Sequence, residues 1–426
     1  MNEQTSNIGQ EYPGYAGWQK KTAIFISSQS LSLFGSMLVQ YAIIWFVTLS
    51  TKSGAVLTIS TLVGFLPQLV ISLFAGVWAD RYPRKLLIIG ADLLTATSTL
   101  VLAIFFLTGY QELWLIFLVS GIRSLGAGIQ MPAVSALLPQ IVPGERLVKV
   151  NSIFGTIQPF IMIVTPVLAG TLMSISRLEA IFFIDVVTAL LAVGLLLGLK
   201  VAVHQKAAQA QTGGYLDDLK AGLGYIRGNR TIRTLFIFFA MIFFLITPIA
   251  FLSPLLVTRT FGEEVWKLTA NEVTFFLGSI IGGFIMMAWG GMKSHFRTIG
   301  FASLLWAILI ASAGLAQNLY VYLVIMFLGG IPMPIFNVPV MSLLQEIVDP
   351  NMQGRVFGVQ QMIASSVMPL GMLIFGPLAD VVSVQLLMVI SGAGIAIPGL
   401  WIYFKRLPVL VPAGEAHAEY NPQPGD

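Results

Sequence analysis

Three ionisable side chains stand inside otherwise apolar stretches of this chain: Asp92, Arg123 and Asp185. A charge at the centre of a bilayer-spanning helix costs about 2.5–3.5 kcal/mol even on a lenient insertion scale, so each needs a partner or a wet cavity. At the α-helical rise, Arg123 falls about 15 Å along its span, close to the midplane. Ala127 and Gln130 share its face. Asp185 lies about 9 Å into its own span, and Asp92 is at similar depth from the opposite surface. Thr188 and Ala192 share the face of Asp185, while Thr95, Ala96 and Thr99 share that of Asp92. Stripes so small and polar point both acids toward protein or water rather than lipid. Burial and a nearby guanidinium act in opposite senses on a carboxyl's proton affinity, and an acid balanced between them can bind and release a proton. The alternative role is structural. Either acid could form a permanent buried pair with Arg123, or fix the basic segment at Asp80–Lys85.

The elements that hold these groups are spans. Hydrophobic residues make up 56% of the chain, charged residues only 10%, and mean hydropathy is +0.86; an ordinary globular chain is about 25% charged. A bilayer crossing needs about 20 apolar residues. Charge-poor runs predict twelve helices, near 22–49, 54–78, 86–108, 113–138, 150–174 and 180–199, then near 234–257, 273–292, 298–315, 319–344, 357–379 and 383–404. The reading is an all-α polytopic membrane protein of 12 transmembrane helices in two pseudo-symmetric six-helix bundles. Its parts are a cytoplasmic tail (1–19), a first bundle (20–199), a cytoplasmic linker (200–233), a second bundle (234–404) and a Pro-rich cytoplasmic tail (405–426). Within the linker, Leu216, Leu219, Leu223 and Ile226 recur at helical spacing, which predicts an amphipathic helix at the membrane surface. The first apolar run, 22–51, is too long for the apolar region of a cleavable signal peptide.

Cysteine is absent, which excludes disulfides and thiolate metal sites. His204, His295 and His417 fall in charged loops or the tail, so no histidine metal site is expected. No cofactor and no nucleic-acid partner are expected either. A phosphate-binding Gly-x-x-x-x-Gly-Lys-Ser/Thr loop is absent from the sequence, which excludes a nucleotide-driven pump of that type. The spans hold no His, Cys or Lys to build an embedded catalytic centre, and their polar residues are too scattered for a channel's selectivity ring. Lys and Arg favour one side: with both termini cytoplasmic, 18 of them fall inside and four (Lys52, Arg177, Arg259, Lys267) outside.

The two halves repeat. Leu-Gly-Ala-Gly-Ile-Gln-Met-Pro from Leu125, then Leu-Leu-Pro-Gln-Ile-Val from Leu137, match Leu-Gly-Gly-Ile-Pro-Met-Pro from Leu328 and Leu-Leu-Gln-Glu-Ile-Val from Leu343. Lys149-Val150 and Gly170 are matched by Arg355-Val356 and Gly376. Related halves rocking about a central cavity are a common transporter plan. Neutral polar residues that could line such a cavity are sparse: Gln40, Gln68, Gln130, Gln158, Asn337, Gln360 and Gln361. With 29 Phe and 17 Met around them, an adaptable apolar pocket suits amphiphiles better than sugars.

Between the second and third spans runs Gly76-Val-Trp-Ala-Asp80-Arg81-Tyr-Pro83-Arg84-Lys85. Its acid can cap or pair with a helix end, and its bases can hold helix C-termini, where the dipole is negative. This Gly-x-x-x-Asp-Arg-x-x-Arg-Lys spacing resembles the loop between helices 2 and 3 of the major facilitator superfamily, except that Pro83 stands where glycine is usual. In that family the loop stabilises one access state, which gives Gly76, Asp80, Arg81, Arg84 and Lys85 a gating role by resemblance. The second-half copy, Gly290-Gly-Met-Lys293-Ser-His-Phe-Arg297, has lost the acid. Arg123-Ser-Leu-Gly126-Ala-Gly128 resembles the family's helix 4 motif, whose arginine is associated with proton coupling. Thr165-Pro166-Val-Leu-Ala169-Gly170 looks like a degenerate form of an exporter motif, and Pro166 is expected to kink or loosen its helix.

Across nearly its full length the chain resembles the bacterial macrolide-efflux branch of the superfamily's drug:proton antiporters. The phrases that carry this are Gly64-Phe-Leu-Pro67, Ile88-Ile-Gly-Ala-Asp92, Ile122-Arg-Ser-Leu-Gly126, Phe183-Ile-Asp185-Val, Leu219-Lys-Ala-Gly222 and Gly354-Arg-Val-Phe357. The resemblance implies a monomer in the bacterial cytoplasmic membrane that exports macrolides or related amphiphiles on the proton-motive force. Relatives that export siderophores or handle lysophospholipids give the alternative cargo. The charge asymmetry has a direct test: a fluorescent protein fused to either terminus should be bright, and alkaline phosphatase fused there should be inactive.

Overall fold

The structure, a computed structural model, describes residues 17–201 and 215–405, apart from the side chains of Leu73, Asp80 and residues 215–218. The expected tails (1–16 and 406–426), the linker stretch 202–214, His204 and His417 lie outside the described residues. Fourteen helices follow one another among the described residues: α1 (Trp18–Thr51), α2 (Gly54–Arg81), α3 (Arg84–Leu107), α4 (Leu113–Ile141), α5 (Gly144–Ile175), α6 (Leu178–Gly198), α7 (Tyr215–Gly228), α8 (Arg230–Thr260), α9 (Val265–Trp289), α10 (His295–Leu315), α11 (Leu319–Gly330), α12 (Pro332–Ile347), α13 (Gln353–Val381) and α14 (Val384–Phe404). They supply twelve spans long and apolar enough to cross a bilayer. Helix α7 lies in the linker, and the tenth span is α11 and α12 together. At that break Pro332 brings no N–H to the ladder. Several helices begin well before their apolar runs, α9 by eight residues relative to the span expected at 273. The trimmed turns carry Lys20 and Lys21, Glu145 and Arg146, or Lys267, which tolerate a helix but not hydrocarbon.

The chain divides into two compact units, Met1–Ser50 with Ile59–Ala210, and Thr51–Thr58 with Gln211–Asp426. In the first, one end of the bundle closes on an apolar cluster that includes Phe25, Ile88, Leu137, Ile141, Val150 and Leu196. Large apolar side chains such as Val70, Leu107, Phe160 and Leu197 remain exposed, as expected of surfaces solvated by lipid rather than water. Lipid tails give no hydrophobic force between helices, so close packing has to hold the bundle together.

The second unit uses glycine for that purpose. Gly278 and Gly282 lie four apart on α9, and a Cβ at either would fall 1.7 Å from the Phe327 carbonyl oxygen or 2.2 Å from that of Ile331. Gly330 answers them, with a Cβ that would meet the Phe275 carbonyl oxygen at 2.0 Å. Side chains cap the helices entering this unit. Asn229 accepts from the Thr231 and Ile232 amides at 3.0 and 3.1 Å, and Asn318 accepts from Tyr320 at 2.8 Å. Asp380 receives the first amides of α2, Gly54 at 2.7 Å and Ala55 at 2.9 Å, together with the Arg259 guanidinium at 2.7 Å. The linker helix α7 packs on α13: Gly222 sits against the Arg355 carbonyl, and the Tyr225 hydroxyl accepts from the Asp349 amide at 3.1 Å. Ile226 is buried there, whereas Leu219 and Leu223 are half-buried.

Replacing Gly278 by Leu forces α9 away from α11. A loss of about 3 kcal/mol or more is expected, read as a lower melting temperature or failure to purify as a monodisperse species.

Candidate functional site

The charged groups of the first unit meet where α1, α3, α4 and α6 converge. Arg123, on α4, is 8% exposed and Asp185, on α6, is 1% exposed; they form an ion pair. The Arg123 Nη1 also donates to Thr99 Oγ1 on α3, and its Nη2 donates to the Ser36 carbonyl of α1 at 3.2 Å. The Thr99 hydroxyl lies 2.9 Å from Asp185 Oδ2. A single guanidinium therefore joins three neighbouring helices to its own, as its planar fork of donors allows. The approach depends on Gly35 of α1. A Cβ there would sit 2.1 Å from Thr188 Oγ1 and 2.9 Å from Asp185 Oδ1. Gly126 and Gly128 let α4 close on two partners, with Thr95 of α3 against the first and Gln68 and Ile71 of α2 against the second.

Asp92 has different company. Ser32 donates to its Oδ1 at 2.6 Å and Gln130 Nε2 at 2.8 Å, while Oδ2 is buried with no partner. Gln130 Nε2 also lies 3.3 Å from Gln29 Oε1 and from Ser32 Oγ. No Lys, Arg or His among the described residues pairs with Asp92. Of the two structural roles open to these acids, Asp185 takes the buried pair with Arg123. Asp92 joins neither Arg123 nor the basic segment through any bond among the described residues.

The basic segment is shorter than its sequence suggests. Gly76, Asp80 and Arg81 belong to α2, and only Tyr82 and Pro83 separate it from α3. Pro83 is the N-cap of α3, where a residue without an N–H costs nothing. Arg84 donates to the Ala79 carbonyl at 2.9 Å and to that of Ala136 at 2.6 Å, holding the ends of α2 and α4. Lys85 reaches the carbonyls of Leu197 and Leu199 at 3.0 and 2.8 Å, the end of α6. Cations at helix C-termini complement the dipole there. Arg81 is exposed, the Asp80 side chain lies outside the described residues, and a Cβ on Gly76 would meet nothing within 4 Å. In the second-half copy α9 ends on Gly290 at φ 71°, a left-handed cap that the first copy lacks. Helix α5 runs unbroken through Pro159 and Pro166.

The neutral residues expected to line a cavity are dispersed. Gln130 belongs to the Asp92 cluster and Gln68 lies 3.7 Å from the Met131 sulfur. Gln40 and Gln158 are exposed in the first unit, Asn337 and Gln361 in the second, and Gln360 is half-buried. Sequence reading missed the α1 residues Gln29, Ser32 and Ser36, although their i, i+3, i+7 spacing marks one polar stripe on an apolar helix. It also missed Glu272, which the early start of α9 carries about 10 Å into the span. Among the described residues Glu272 therefore joins Asp92, Arg123 and Asp185 as an ionisable group set more than a turn inside its span. Among the described residues no cluster of three or more His, Asp or Glu could hold a metal ion.

Removing one partner of a buried ion pair leaves the other uncompensated, at a cost of about 3–5 kcal/mol. Asp185→Asn should lower the melting temperature sharply, and adding Arg123→Gln should restore part of the loss. A double variant no more stable than the single one would mean the pair contributes nothing as a pair.

Residues 25–372 match the family described as Major Facilitator Superfamily. The chain is 30% identical over 382 residues to macrolide efflux protein A of Streptococcus pyogenes, covering 89% of this chain and 94% of that protein. It is 30% identical over 324 residues to macrolide efflux protein A of Enterococcus faecalis, covering 75% and 99% respectively. Its fold is similar to the crystal structure of a bacterial homologue of the human lysosomal transporter Spinster, with TM-score 0.70 at 12% identity over 92% of this chain and 97% of that one. Twelve spans and a family match across most of the sequence lead to one conclusion: the chain belongs to the Major Facilitator Superfamily of membrane transporters.

Proposed function

We propose that this transporter exports amphiphilic, macrolide-type molecules across the bacterial cytoplasmic membrane by proton antiport with alternating access. It does so as a monomer with both termini in the cytoplasm. The observation that carries the coupling is the contrast between the two buried acids of the first unit. Arg123 and Asp185 neutralise each other. An ionised Asp92 is a buried charge with no counter-ion, which is costly, and one bound proton removes that charge. Asp92 is therefore the proton carrier, and the Arg123–Asp185 pair is the neutral strut beside it. Gln130 and Ser32 hold the carboxyl in either state, because each can donate to a carboxylate and accept from a carboxylic acid.

The cargo class rests on the two macrolide efflux relatives at 30% identity and on the scarcity of polar side chains in the spans. The driving force suffices. One charge crossing 100 mV supplies about 2.3 kcal/mol, which at 1.36 kcal/mol per decade sustains a gradient of roughly 50-fold.

Everted vesicles from cells expressing the protein should accumulate a macrolide on energisation and lose it when a protonophore is added. Asp92→Asn should reduce that proton-dependent accumulation at least tenfold while leaving the melting temperature within a few degrees of the parent. Full protonophore-sensitive uptake by Asp92→Asn would remove Asp92 from coupling. Uptake indifferent to the protonophore would remove the proton altogether.

A further inference from the structure

The second unit contains an acid that the export scheme does not use. Glu272 lines a cavity of about 210 Å³ formed by α8, α9, α10 and α11. The cavity walls are apolar and aromatic: Phe275 and Phe276 from α9, Trp306 from α10 and Met326 from α11. The Trp306 indole is fixed by donating to the Gly329 carbonyl at 2.9 Å. Ala250 of α8 also lines the space and is exposed, which places it at the rim.

The polar residues around Glu272 are occupied with one another. Asn271 accepts from the buried Tyr322 hydroxyl at 2.8 Å and donates to Ser253 Oγ at 3.2 Å. Its amide lies a long 3.4 Å from Glu272 Oε1. No Lys, Arg or His among the described residues forms an ion pair with Glu272. A carboxyl group thus stands on the wall of an aromatic cavity with one long hydrogen bond and, among the described residues, no counter-charge.

We infer that this cavity binds the cationic end of a lipophilic amine or quaternary ammonium compound. Glu272 supplies the counter-charge, and Trp306, Phe275 and Phe276 supply ring faces, which attract cations through their quadrupoles. The chemistry excludes the other ligand classes. An anion would be repelled by the carboxylate, a sugar would find too few donors and acceptors, and a neutral apolar group would make no use of the acid, whereas a cation stabilises its ionised form. The space exceeds a cavity of about 150 Å³, which accepts benzene, so it admits one ring with a small ammonium group. A larger amphiphile would lodge only its basic end there. The site lies wholly within the second unit, so the inference depends neither on the direction of transport nor on Asp92.

The test is binding, not transport. Radiolabelled phenyltrimethylammonium is equilibrated with the purified full-length protein, and tert-butylbenzene, its neutral isostere, is assayed by competition. The wild type should bind the cation at least tenfold more tightly than the isostere. Glu272→Gln should weaken the cation at least tenfold and leave the isostere within about twofold, while Glu272→Asp should keep most of the affinity. Ala250→Phe, which fills the rim and keeps the acid, should abolish binding of both. The assignment is overturned if the isostere binds the wild type as tightly as the cation does. It is equally overturned if Glu272→Gln binds the cation normally, or if a folded Ala250→Phe does so.

Discussion

A guanidinium cannot be left unpaired in hydrocarbon, and the helix packing of the first unit follows from that constraint. Arg123 needs acceptors from more than one direction. It finds them in a carboxylate on α6, a hydroxyl on α3 and a backbone carbonyl on α1. Each of those contacts requires close helix approach, which explains the residues around the cluster. Gly35 removes the side chain that would collide with Thr188 and Asp185, and Gly126 and Gly128 do the same toward α3 and α2. In lipid, packing and interhelical hydrogen bonds replace the hydrophobic force that assembles soluble cores. The most expensive group in the unit is accordingly also the one that ties the most helices together.

Asp185, Asp92 and Glu272, all more than a turn inside their spans, have three different surroundings. Asp185 is matched by a cation and is closed to further chemistry without breaking the pair. Asp92 is buried among neutral donors with one oxygen unsatisfied, and no cation among the described residues pairs with it. Glu272 lines an open, aromatic cavity, where a ligand rather than the protein can provide the opposite charge. In the proposed roles of strut, proton carrier and recognition group, only the environment distinguishes the three; their side-chain chemistry is the same. Arg84 and Lys85 are simpler. They bind carbonyls at the ends of α2, α4 and α6, where a cation gains from the helix dipole as well as from the hydrogen bond.

The sequence by itself determined the solvent, the number of spans and the cost of three buried charges, because these depend on local composition and on the 3.6-residue period. It could not see Glu272 as a span residue: hydropathy trims a helix where charges begin, whereas backbone hydrogen bonding carries α9 back to Val265. Nor could it choose a partner for Arg123. Asp185 and Asp92 both stood on small, polar faces at similar depth, and either was a reasonable mate. The choice belongs to the crossing points of helices 62 residues apart in the chain. Tertiary structure alone brings α6 across α1 at Gly35 and aims Asp185, rather than Asp92, at the guanidinium.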